Sequence, residues 1–170
     1  MKEKVDIKKE TYTWEAEAMA VNEAALKYAV KLNVVEPDIP QLKLVKSENA
    51  LDQVAEIKAG LPAGIVDALC RELEISRKEL ARVAGVAERT LNRKIQEGRL
   101  SADQSERFNR VAQLLNRAIE LFGEREQAVR WLKAPRSYFG GKPPLDLADT
   151  ELGSREVANL IGRIAHGVFS

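Results

Sequence analysis

Residues 76–98 read SRKELARVAGVAERTLNRKIQEG, and this stretch decides the fold. Ser76 followed three residues later by Glu79 is a capping box, so the spacing predicts a helix start there. Leu80, Ala81 and Ala84 give that helix a small, apolar inner face. Gly85 supplies the permissive backbone of a sharp turn, and Val86 fills the angle behind it. A second helix follows, with Thr90, Leu91 and Ile95 inward and Gly98 closing it. The result is a helix-turn-helix. Its outer face carries Glu88, Arg89, Asn92, Arg93 and Gln96, with Lys94 beside them and Arg77 and Lys78 at the start of the first helix. These are the residue types that reach base edges and phosphates, and they form the candidate DNA-binding set.

Between Arg77 and Arg99 there are seven Lys/Arg against three Asp/Glu, while the whole chain is only +1. The balance predicts a local basic patch rather than a general nucleic-acid coat. An ordinary helical hairpin with a solvated basic face is the competing reading. Glu88 and Glu97 weigh for it, unless Glu88 reads a cytosine amino group.

Working outward, 170 residues suit one domain with an extension or two small domains. Hydrophobic residues at 45% suffice for a core, and no apolar run approaches the span of a bilayer. The beginning MKEKVDIKKE lacks the apolar segment of a signal peptide, and the single cysteine, Cys70, reads as a small core residue. A cytoplasmic protein without membrane attachment is the expectation. No Val/Ile/Thr-rich stretch alternates with period two, so the fold class is all-α.

Upstream, Trp14, Ala18, Val21, Ala25, Tyr28 and Leu32 form one helical stripe over residues 11–33. Such a stripe packs on a partner helix, as in a homodimer, or on the chain's own core; both stay open. Pro37 and Pro40 mark a linker. A short helix over 49–59 carries Leu51, Val54, Ala55 and Lys58, and residues 1–60 form an N-terminal extension. Pro62 suits the first turn of the next helix, whose inward residues are Ile65, Val66, Leu69 and Leu73; it opens a helix-turn-helix region over 61–100.

Residues 101–170 read as a small helical domain. Ser101 with Gln104 is a second capping box, followed by the stripe Phe108, Val111, Leu115, Ala118 and Phe122 and a stop at Gly123. A short helix holds Ala128, Val129, Trp131 and Leu132, and a Gly/Pro-rich passage follows. A terminal helix carries Val157, Leu160, Ile161 and Ile164, with Ser154 as its expected cap. Trp131, Tyr138, Phe139 and the nearby prolines make this half adhesive in character.

The chain offers no catalytic set and no metal cluster. His166 is the only histidine and Gly140-Gly141-Lys142 runs into prolines rather than a helix. No enzyme activity and no cofactor are expected.

The runs TLNRK from Thr90, GRLS from Gly98, WLKAP from Trp131, FGGKPPL from Phe139, TELG from Thr150 and VANLIGRIAHG from Val157 resemble the Xre/MbcA/ParS-type antitoxins. The resemblance covers residues 61–170. It implies a helix-turn-helix region before a toxin-binding domain, with a RES-domain, NAD-degrading toxin as partner. In that picture the C-terminal segment covers the toxin's NAD pocket, and the helix-turn-helix binds operator DNA and represses the operon. A homodimer and a larger hetero-oligomer with toxin also follow from the resemblance. Trp131, Pro135, Phe139, Pro143, Leu147, Thr150, Gly153, Val157, Leu160 and Ile164 match its pattern, most of them as architectural residues.

The expected toxin-binding residues are Trp131, Phe139, Leu160, Arg163, Ile164, His166, Gly167 and Ser170. Arg163 and His166 offer a cation and an imidazole to a pocket built for phosphates and carboxylates. The plain alternatives are a solvated Arg163 and a His166 that only meets the last helix carbonyls. Two other functions stay open: a stand-alone transcriptional repressor, and a toxin-binding module that no longer binds DNA.

Overall fold

The computed structural model of the chain describes residues 42–45 and 49–167. The stripe over residues 11–33, most of the linker after it, and Ser170 lie outside the described residues. Seven α-helices appear among those described: α1 (Ala50–Ala59), α2 (Ile65–Leu73), α3 (Arg77–Val83), α4 (Glu88–Glu97), α5 (Ala102–Phe122), α6 (Arg125–Lys133) and α7 (Glu151–Ala165). Two 3-10 segments, Ser137–Phe139 and Pro144–Asp149, join α6 to α7. No strand occurs among the described residues, and the fold is all-α as its periodicity predicts.

The axle is α5, 21 residues long. Its start is fixed by a reciprocal capping box between Ser101 and Gln104, and its end by Gly123 at φ 71°. Phe108, Val111, Leu115 and Ala118 are fully buried, as their spacing demands. Phe122, the last of the stripe, is half-buried and meets Trp131 at 5.8 Å between ring centroids. Helices α6 and α7 pack on α5, and α2 of the helix-turn-helix region touches both α5 and α6. One apolar cluster joins both halves, from Leu61 and Val66 to Leu160 and Ile164.

Polar ties cross the same seam. Arg125 Nη1 donates to the Glu72 carbonyl at 3.0 Å. Lys133 Nζ donates to the carbonyls of Leu73 and Glu74 at 3.4 and 3.2 Å. Two cations from α6 thus satisfy the orphan carbonyls at the end of α2. Arg82 of α3 pairs with Asp146 at 2.8 Å, and Arg107 of α5 donates to the carbonyl of Gly85 at 3.1 Å.

Several local expectations shift. Pro62 lies before α2 rather than in its first turn; its carbonyl accepts from Ile65 N–H at 3.2 Å. Helix α1 forms with Asn49 as its cap, but Leu51 and Val54 face outward, 78% and 47% exposed. Cys70 is half-buried and burial pushes its thiol pKa up, which keeps it protonated and unreactive. Thr150, not Ser154, caps α7: its Oγ1 accepts from Gly153 N–H at 3.1 Å, and Ser154 is buried inside the helix.

The new start of α7 makes Gly153 a tight point. A Cβ there would lie 2.3 Å from the Leu147 carbonyl oxygen and 3.0 Å from Leu147 Cβ. Backbone cannot yield as a flexible side chain does, so Gly153→Ala should cost about 2 kcal/mol of stability by overpacking, despite its better helix propensity. In a thermal melt this is a fall in Tm of about 4–8 °C; an unchanged Tm would mean that the 3-10 segment gives way freely.

Candidate functional site

Two surfaces stand out, one on each half. In the first, α3 and α4 are joined by the turn through Ala84, Gly85, Val86 and Ala87. Gly85 has φ 63°, and a Cβ on it would press against Arg107 Nη1 at 2.9 Å. Val86 N–H closes the turn on the Ala81 carbonyl at 2.8 Å. Leu80, Ala81, Val83, Ala84 and Leu91 are buried and fix the crossing of the two helices. Ser76 Oγ accepts from Glu79 N–H at 3.1 Å, which sets where α3 begins.

The outer face of α4 presents Glu88, Arg89, Asn92, Arg93 and Gln96, all exposed. Lys78 is exposed beside them on α3. The other two cations of the expected set are engaged within the chain. Arg77 grips Asp67 with two hydrogen bonds of 2.7 and 2.9 Å, and this donation holds the Asp67 carboxyl below the usual carboxylate range. The pair therefore persists at neutral pH and is lost only as the medium falls through that lowered value. Lys94 is half-buried and bonds Glu97, whose carboxyl is likewise held low, and Arg93 also reaches Glu97 at 3.5 Å. Glu97 thus neutralises its own helix rather than opposing phosphates, which removes one objection to a DNA-facing surface.

The second surface lies at the far end of α7. Trp131, Leu160 and Ile164 are each 5% exposed, so they shape the core and present almost nothing to a partner. This corrects the sequence-based expectation for those three: an apolar helical stripe serves the chain's own core first. Phe139 is half-buried and meets Tyr138 edge-on at 4.9 Å. Arg163 lies with its guanidinium 4.8 Å above the Tyr138 ring, a cation–π contact. Its Nη2 is shielded from solvent and has no hydrogen-bond partner. Arg136 takes the equivalent place 5.3 Å over Trp131.

His166 ends α7 as an exposed cap residue, and Gly167 follows at φ 64°. The surface also holds two residues outside the expected toxin-binding set; from the sequence, Tyr138 stands only among the aromatics of this half. Tyr138 is 40% exposed under Arg163, and Leu152 is 59% exposed on the flank of α7 that carries Glu156, Asn159 and Arg163. Leu152 had a signal in the sequence: it is the one large aliphatic of α7 that falls off the buried stripe. Arginine stacked on aromatic rings, with a donor left unmet, is the composition of a protein-binding anchor.

Comparison with known proteins assigns a domain to each half of the chain. The model for the antitoxin Xre-like helix-turn-helix domain matches residues 52–113. The model for the antitoxin Xre/MbcA/ParS C-terminal toxin-binding domain matches residues 117–167. Antitoxin Xre of Yersinia enterocolitica is 35% identical over 119 residues, covering 69% of this chain and 80% of that protein. Antitoxin Xre of Photorhabdus laumondii is 36% identical over 118 residues, 68% of this chain and 80% of its own length. A Sphingobium protein named Prs ADP-ribosylating antitoxin is 25% identical over 138 residues, 75% of this chain and 87% of that protein. The two matched regions meet inside α5, which therefore serves both halves. With a helix-turn-helix and a toxin-binding domain both present, the chain belongs to the Xre family of antitoxins.

Proposed function

We propose that this antitoxin neutralises a RES-domain, NAD-degrading toxin by covering its active site with the C-terminal segment, and represses its own operon through the helix-turn-helix. The carrying observation is Arg163, a guanidinium braced on Tyr138 with an unmet N–H, one turn before the exposed end of α7. A buried, unpartnered charged donor costs stability in the free chain, and an acceptor supplied by a partner recovers that cost on binding. A carboxylate at the rim of the partner's pocket is the acceptor that fits the braced cation. The Sphingobium relative's name, with its reference to ADP-ribosylation, is in keeping with a toxin that consumes NAD.

Operator DNA is the second partner, read by Arg89, Asn92, Arg93 and Gln96, with Lys78 on the backbone and Glu88 at a cytosine. A homodimer would match two half-sites, and toxin would enlarge it to a hetero-oligomer. The chain works without cofactor or catalysis of its own, in the bacterial cytoplasm; no helix among the described residues is long and apolar enough to cross a membrane. The intrachain engagement of Arg77 and Lys94 favours, as a second reading, a toxin-binding module with weakened DNA contact.

Co-expression with the product of the adjacent open reading frame tests the main reading. Growth should be restored, cellular NAD preserved, and the two chains should purify together. A neighbour whose expression leaves NAD unchanged, or which does not co-purify, would overturn it.

A further inference from the structure

Helices α5 and α7 run side by side with a groove of about 360 Å³ between them, the size of a small-molecule pocket. Its walls are polar on both sides. From α5 come Glu106, Asn109, Arg110, Gln113 and Arg117, which recur at helical spacing and so share one face. From α7 come Glu151, Ser154 and Arg155. Polar faces that meet in a folded chain satisfy one another. Among the described residues only Arg110 does so across this groove, reaching Glu151 at 3.8 Å while its Nε donates to the Ala148 carbonyl. Arg117 and Arg155 are exposed and form no ion pair among the described residues.

The register brings those two cations together. Arg110 meets Glu151, and farther along Arg117 and Leu121 share a cleft wall with Ala158 and Gly162, so the helices point the same way. Arg155, four residues past Glu151, therefore stands level with Leu114, and Arg117 is about 4.5 Å farther along. That is less than one helical turn, and two guanidiniums can close on one anion from opposite walls. The acidic groups lie away from that point or are spent. Glu151 is held by Arg110, and Glu120, one turn past Arg117, is already engaged within the chain. Glu106 stands roughly 16 Å from Arg117 along the helix axis.

Between Glu106 and Arg117 the groove is floored by Asn109 and Ser154, only 9% and 7% exposed. Their side chains make no hydrogen bond among the described residues. A buried amide and hydroxyl left unmatched cost the free fold stability, and a ligand that supplies partners recovers it. Apolar residues here would pack α5 on α7 better, so the fold alone gives no reason for this pair.

We propose that the α5–α7 groove binds a phosphorylated small molecule, its phosphate held by Arg117 and Arg155 and its hydroxyl or amide groups by Asn109 and Ser154. Asn109 and Ser154 each donate and accept, which suits a sugar or a base rather than a hydrocarbon chain. A phosphate has oxygens enough for two guanidiniums, whereas one arginine fills a carboxylate. Neither Arg163 nor Tyr138 lines the groove, so the proposal does not depend on how toxin is bound.

Titration calorimetry and thermal melts of the full chain test it, with ribose 5-phosphate, AMP, adenosine and inorganic phosphate as probes. Ribose 5-phosphate, AMP or both should bind with a Kd below about 1 mM and raise Tm. Inorganic phosphate and adenosine should bind at least about tenfold more weakly. Arg117→Gln with Arg155→Gln should weaken binding at least about tenfold and leave the Tm of the free chain unchanged, because both side chains are exposed and unpaired. Ser154→Ala should weaken binding at least about threefold while raising the Tm of the free chain. Inorganic phosphate binding as tightly as ribose 5-phosphate would mean an adventitious ion only and overturn the proposal. So would adenosine binding as tightly as AMP, no binding by either phosphorylated probe, full affinity in the double arginine variant, or a Ser154→Ala chain that binds fully and melts lower.

Discussion

A chain that ends at Ala165 and carries Arg163→Glu is expected to lose at least about a hundredfold in toxin affinity, with operator affinity changed less than twofold. The size follows from what the substitution removes and what it adds. Arg163 is braced on Tyr138 at 4.8 Å and keeps one shielded N–H without an acceptor. Its reversal leaves the partner's carboxylate facing a like charge, and truncating a desolvated charged anchor costs about 2–5 kcal/mol. The place of the cut matters as much. Ending the chain before Leu160 would delete Leu160, Ile161 and Ile164, all core residues, and a loss of neutralisation would then report only unfolding. Ending it at Ala165 removes the exposed His166 and Gly167 and the residues after them, at the cost of a frayed last turn. Arg163→Lys should fall between, because an ammonium keeps the charge but not the planar stacking on Tyr138. Titration calorimetry with purified toxin and rescue of growth are the two readouts. Full neutralisation by the truncated Arg163→Glu chain would move the contact surface away from the end of α7.

How far the sequence could be read depends on the range of the interactions. The helix-turn-helix is written in local rules: a cap at Ser76, a turn at Gly85 that needs positive φ, and Leu91 one helix later. The axle α5 is equally local, since a capping box, a 3.6-residue stripe and a glycine stop are all contained in it. The start of α7 was not legible in the same way. Thr150 and Ser154 both satisfy a capping rule, and the choice falls to Thr150 because Ser154 is needed in the core and Gly153 sits on the Leu147 carbonyl.

Long-range pairings leave still less trace. Nothing near Arg163 announces Tyr138, 25 positions earlier, and nothing near Arg77 announces its bidentate grip on Asp67. The apolar spacing that points to Leu160 and Ile164 is truthful about burial but silent about whose core they enter. That is why three of the expected toxin-binding residues prove to be inside the chain.

The same distinction between free and engaged side chains sets the DNA-binding prediction. Arg89→Ala with Arg93→Ala should weaken operator binding by about 30-fold to about 25,000-fold, since each arginine that reads a base is worth about 1–3 kcal/mol. Arg89 has its whole side chain available on the outer face of α4. Arg93 must first leave Glu97, 3.5 Å away, but that pair is exposed and its loss costs little. Arg77→Ala should behave differently, lowering affinity less than twofold, because Asp67 already holds the guanidinium with both of its carboxylate oxygens. Fluorescence anisotropy on a labelled operator fragment across a salt series separates the contributions. An arginine on a phosphate flattens the salt dependence by about one unit of slope when removed, whereas one on a base edge relaxes sequence preference at a fixed slope. Toxin affinity in the same double variant should stay within twofold, because α4 and the end of α7 lie on different halves of the molecule. If the double variant binds operator as tightly as the parent chain, α4 is not the reading helix, and its basic face is a solvated one.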